Sequence, residues 1–266
     1  MLNIKFRIDP NLMARVIIST SKMPTELANY LWNKYRLSYQ ILQKDLHSTE
    51  IDNNIILELQ QQKYFKTCYT EADQNLQRIQ HSWTKNKDKI NLFLSKVFKK
   101  DFTLNVTAII VSPTLNCGRN IGDNQFIWGH KNGLTNENYD LVYLVHESLH
   151  SYFKNDNITH AIIENITDFE LAKLLNNSEK GYTGHDYIRN LHIQILPFWN
   201  LYLNKSQKRI EKEGIINNIT YNLNDFYKYK PQIKNMNIDE FVEFLEKLNL
   251  DKLLDIKSSY TINKKS

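Results

Sequence analysis

The chain's 266 residues suffice for one large domain or two small ones with a sizeable core, and 41% of them are apolar. Its 7 glycines and 5 prolines argue for long helices and against a turn-rich all-β fold. The net charge of +5 comes from lysines scattered along the chain, so it reads as solvated surface, and no nucleic-acid partner is expected; the 2 cysteines form no disulfide framework, and no apolar run approaches a membrane span.

The first twenty residues carry charges among their apolar positions instead of the long apolar run of a secretory signal, so a cytoplasmic location is expected. Ile4, Phe6 and Ile8 alternate before Asp9-Pro10 and predict a short strand. Pro24 opens a predicted helix to about His47, with Leu27, Tyr30, Leu31, Tyr35 and Tyr39 on one side. Residues 49–75 and 76–99 carry helical periodicity too, through Ile55, Leu59, Ile79, Trp83, Ile90 and Val97. The aromatic residues here read as core, and residues 1–99 as a helical region packed on the rest of the chain.

Near Asp101 the pattern changes. Phe102–Val111 is β-branched and predicts a strand ending at Ser112-Pro113. Asn116-Cys117-Gly118 and Gly122-Asp123-Asn124 are turn signals on either side of Arg119–Ile121, and Gln125–His130 predicts a second strand. Cys117 has no signature of a nucleophile around it and reads as structural.

The most informative stretch is Tyr139–Asp168. It holds His146-Glu147-Ser148-Leu149-His150, an H-E-x-x-H run in an apolar segment with no proline. On a helix, positions four apart share a face, so His146 and His150 can reach one ion, with Glu147 beside them to act on a water as general base. Ala161, Ile162, Ile166, Phe169 and Leu174 predict a second helix, joined through the polar loop Lys154–Asn157. That helix brings Glu164 as third ligand, and Asp168 one turn later as the carboxylate that holds a ligating imidazole. Two histidines, a glutamate and a water make an open tetrahedral zinc site.

With those residues in place, H-E-S-L-H followed by E-N-I-T-D resembles the gluzincins, the thermolysin-like zinc peptidases, over about Asn124–Asp168. The spacing from His150 to Glu164 is shorter than in thermolysin, which implies a compact, distant member. The resemblance implies an α+β, mostly helical, zincin-like fold, with a small mixed sheet packed on the H-E-x-x-H helix. It also implies one zinc ion and a peptide or protein substrate. The family's substrate-holding edge strand reads Asn-Ala-Phe-Trp, and Asn124-Gln125-Phe126-Ile127-Trp128 is similar, with one residue inserted before the tryptophan. At a sheet edge, this strand's free N–H and C=O groups would accept an extended peptide, with Asn124, Phe126 and Trp128 lining the cleft.

Gly181-Tyr182-Thr183-Gly184 breaks the chain, and His185–Leu203 resumes as a predicted helix that Pro197 kinks or ends. His185, Arg189 and His192 lie on one of its faces. Peptidases of this kind need a donor for the oxyanion, and Tyr182 and His185 are the candidates, each with the alternative of a surface polar residue at a helix start. Residues 236–256 predict one more amphipathic helix, and Ser258–Ser266 a loose tail. The layout is then a helical region 1–99, a catalytic core 100–205 and a helical region 206–266, or all of these in one compact domain.

A rival scheme takes Asp156 as third ligand, ten residues after His146 as in the metzincins, but Phe153 stands where that pattern needs glycine. His160 is off register for both schemes. The functional rival is a non-catalytic zinc-binding or interaction protein that keeps a peptidase-like fold. An intact Glu147 argues against it, since a structural site has no use for a general base.

Overall fold

The structure, a computed structural model, describes residues 1–20, 22–35, 53–216, 219–221, 224–248 and 260–262. Parts of three predicted helices, residues 36–47, 49–52 and 249–256, lie outside the described residues. The fold is α+β and mostly helical, with one small mixed sheet. By its internal contacts the chain divides into two compact units.

Unit two comprises Asn3–Asn86 and Asn105–Ser151. Its sheet has the order β1 (Leu2–Arg7), β2 (Leu104–Ile110), β4 (Gln125–Gly129), β3 (Cys117–Gly122). β4 runs parallel to β2, with Ala108 opposite Phe126, and antiparallel to β3, with Asn120 opposite Phe126. Asp123 and Asn124 turn the β3–β4 hairpin, both at positive φ (49° and 55°), a conformation these two residue types tolerate. The predicted turn-flanked segment Arg119–Ile121 is therefore part of a strand.

The strand expected through Ile4 and Phe6 is present as β1, and the segment after it differs from expectation. Asp9-Pro10 begins a helix, α1 (Pro10–Ser19): the Asp9 carboxylate accepts from the Leu12 N–H at 3.0 Å, and Pro10 occupies the first turn, where its missing N–H costs nothing. α1 buries Met13, Val16 and Ile17 in a core shared with Leu31 of α2 (Thr25–Tyr35) and Leu59 of α3 (Asn53–Gln61). The predicted break at residue 75 is absent. α4 runs without interruption from Lys63 to Phe98, because Ala72, Asn75, Ile79 and Trp83 keep one buried stripe at helical spacing. α5 (Asn132–Thr135) leads into α6 (Glu137–Leu149), which packs on β3 and β4.

Unit one comprises Met1–Leu2, Lys87–Leu104 and Tyr152–Ser266. Here α7 (Asn157–Glu164) continues through a π-helical segment, Asn165–Leu171, into α8 (Ala172–Asn176). α7 packs on α9 (Arg189–Tyr202) and on α13 (Ile238–Lys247), the latter reached through α10 (Gln207–Ile216), α11 (Asn224–Tyr227) and α12 (Lys230–Ile233). Tyr202 stacks on Trp199 and on Phe241, with ring centroids 5.4 and 4.5 Å apart. α9 continues through Pro197 to Tyr202 and does not end there. The expected loose tail is corrected in part: β6 (Tyr260–Ile262) pairs antiparallel with β5 (Ile219–Tyr221). Among the described residues no helix is long and apolar enough to cross a membrane.

Candidate metal centre

In unit two, the Asn136 side chain caps α6 by accepting from the Asn138 N–H at 3.0 Å. The helix ends at His150. His146 is buried, and the His146 and His150 rings stand edge to face, with centroids 5.0 Å apart. The expected juxtaposition of the two imidazoles is thus present. The Glu147 carbonyl accepts from the Asn120 amide at 3.2 Å, which ties α6 to β3. Above its carboxylate the β3 backbone passes at Gly118. A Cβ there would stand 2.6 Å from the Trp128 ring and 3.6 Å from Glu147 Oε1, so a residue with a side chain would collide. Burial first, and then the Glu147 charge, pushes the Cys117 thiol up to about 11, which fits a structural cysteine.

The expected substrate strand is overturned. β4 is paired on both sides, so its backbone groups are already used within the sheet. Phe126 and Trp128 are buried, and the Trp128 indole N–H donates to the Asp140 carboxylate at 2.7 Å. Asn124 sits in the hairpin turn, its carbonyl accepting from the Thr107 N–H. The strand at that edge of the sheet is β3. Sequence reasoning missed it because glycines at both ends of Cys117–Gly122 read as turns.

In unit one, Glu164 ends α7 and is buried. Its Oε1 accepts from the His185 backbone N–H and faces His185 Nδ1, both at 2.7 Å. Gly184 lies against the other carboxylate oxygen, where a Cβ would overlap it. Glu164 therefore rests on a loop shaped to hold a carboxylate. His160, one turn earlier on α7, joins it: ligand atoms of His160, Glu164 and His185 lie within 4.8 Å of one another. The signal for His160 was its four-residue spacing from Glu164, which neither known ligand pattern uses. Burial foremost holds its imidazole below the usual histidine range. Neutral imidazoles and a carboxylate are the donor types zinc takes.

Asp168 lies in the π-helical segment, buried, and lines the same cavity as Glu164. Its carbonyl accepts from the Tyr182 N–H at 2.6 Å. The Tyr182 hydroxyl accepts from the Asn176 amide at 3.0 Å. The rival ligand Asp156 is the N-cap of α7, accepting from the Thr159 N–H at 2.9 Å. That capping bond accounts for its carboxylate.

No family model matches the chain, and neither does any curated protein or solved structure. The functional reading therefore stands on the residues themselves.

Proposed function

We propose that the chain is a zinc-dependent peptidase with a zincin-like core, in which His146, His150 and Glu164 hold one zinc and Glu147 is the general base. The observation that carries this reading is the arrangement at the end of α6: two imidazoles on one helix face, centroids 5.0 Å apart, with a carboxylate between them in sequence. The buried carboxylate of Glu164, which accepts from the His185 N–H and has Gly184 against it, supports its choice as third ligand. When bound, zinc supplies a Lewis acid that makes water nucleophilic near neutral pH and polarises a carbonyl. Glu147 takes the proton from the attacking water and delivers it to the leaving amine.

β3, at the sheet edge and tied to Glu147 through Asn120, is the better candidate for pairing with an extended substrate. Of the two candidate oxyanion donors, Tyr182 is preferred. His185 Nδ1 already faces the Glu164 carboxylate at 2.7 Å.

A second reading has an observation in its favour. His160, Glu164 and His185 form a compact ligand set within unit one, which a non-catalytic metal site could use without the H-E-x-x-H pair. The peptidase reading expects that stripping metal with a chelator abolishes hydrolysis of an unbiased peptide mixture. One equivalent of zinc should then restore it. Full hydrolysis by the metal-free chain would contradict the reading.

A further inference from the structure

One face of α9 remains without a role. Arg189, His192, Ile193 and Leu196 follow the spacing i, i+3, i+4, i+7 and line a single cavity of about 230 Å³ in unit one. Phe169, Glu164 and Asp168 line it as well. Pockets for drug-sized ligands run to about 300–1,000 Å³, so this one suits a single side chain or chain end.

Two of its polar groups have no use in the fold. The buried Nδ1 of His192 finds no hydrogen-bond partner among the described residues, although its ring packs on Phe169. A buried polar atom left unpaired is costly, so a ligand that satisfies it gains affinity. Arg189 stands exposed at the mouth and joins no ion pair among the described residues. The acid on the same rim, Glu179, is by contrast paired with Arg209 and Lys212. Glu164 is engaged by His185. The cavity thus offers an unpaired cation, a buried imidazole nitrogen and apolar walls.

We propose that this cavity is a specificity pocket for a carboxylate on a short aliphatic stem, with Arg189 as counter-charge and His192 Nδ1–H as second donor. The proposal rests on the peptidase reading, since the pocket adjoins the ligand Glu164. A guanidinium matches a planar carboxylate with two parallel hydrogen bonds, and Phe169, Ile193 and Leu196 hold the stem. Glu164 and Asp168 on the same wall disfavour any anion, and a dianionic phosphate about twice as much as a singly charged carboxylate. The carboxylate can come from an acidic side chain or from the C-terminus of a peptide.

The test uses the full chain carrying Glu147→Gln, zinc-supplemented, so that peptides stay intact. Three probes are titrated by calorimetry: acetyl-AAEAA-amide, acetyl-AAQAA-amide and acetyl-AAAAA with a free C-terminus. One carboxylate peptide should bind roughly tenfold tighter or more than the glutamine peptide, the effect of one charge-assisted hydrogen bond. Which peptide does so identifies the source. Arg189→Gln, an exposed change, should erase that advantage. Equal affinities, no measurable binding, or an advantage that survives Arg189→Gln would overturn the pocket. The native chain is assayed on the same peptides. Hydrolysis without carboxylate preference would remove the pocket and keep the peptidase. Carboxylate-selective binding without hydrolysis would keep the pocket and remove the peptidase.

Discussion

Glu147→Gln is expected to abolish peptide hydrolysis, by at least the ~10²-fold typical of losing a general base, while zinc content and thermal stability stay native. Glutamine has nearly the same shape, so the close passage of Gly118 over the side chain is undisturbed. The Asn120 hydrogen bond goes to the Glu147 carbonyl, not to the carboxylate, and survives the change. What disappears is only the ability to take a proton. Cys117 supplies an internal check: its thiol is held up partly by the Glu147 charge, so its pKa should fall in the variant. Native hydrolysis by the glutamine variant would sink the mechanism and favour the non-catalytic reading.

The second large effect concerns the support of α6. Asp140, in the first turn of that helix, is buried and forms an ion pair with Arg78 of α4. Its other oxygen accepts from Trp128 Nε1 of β4 at 2.7 Å, and Gly133 leaves the space it occupies. One carboxylate thus fixes α6 to the sheet and to α4. Burial nonetheless outweighs Arg78 and holds the Asp140 carboxyl above its ordinary range. Removing Arg78 leaves that charge in an apolar site. Arg78→Met should cost about 3 kcal/mol, the low end for breaking a buried pair, because Arg78 keeps part of its side chain in solvent. Arg78→Met with Asp140→Asn should be more stable than Arg78→Met alone, since no charge is stranded and asparagine can still accept from Trp128. Denaturant unfolding measures both. A single-variant cost under about 1 kcal/mol, or simple additivity, would show that the pair does not anchor the helix.

Local features were legible in the sequence and pairings were not. The H-E-x-x-H face could be read because a four-residue spacing fixes its geometry within one helix. Gln125–Gly129 could be read as a strand from its composition. Its place inside the sheet depends on β2 and β3, which lie at other points of the chain. The same limit hid β3, whose glycines serve the close approach to Trp128 and a positive-φ turn at Gly122. α1 was missed because Asp9-Pro10 ends a strand as readily as it caps a helix. Asp140 carries no motif of its own, and its role needs Arg78, 62 positions away. Likewise, the Arg189–His192 face was visible, but the cavity it lines also needs Phe169 and Glu164.

Everything proposed for the metal turns on its ligand set, which elemental zinc analysis of purified variants can decide. The native chain should carry one zinc, and His146→Ala, His150→Ala and Glu164→Ala should each lose it, while His160→Ala should keep it. Full zinc in His146→Ala or His150→Ala would contradict that ligand set, and its loss in His160→Ala alongside would assign the metal to the cluster in unit one.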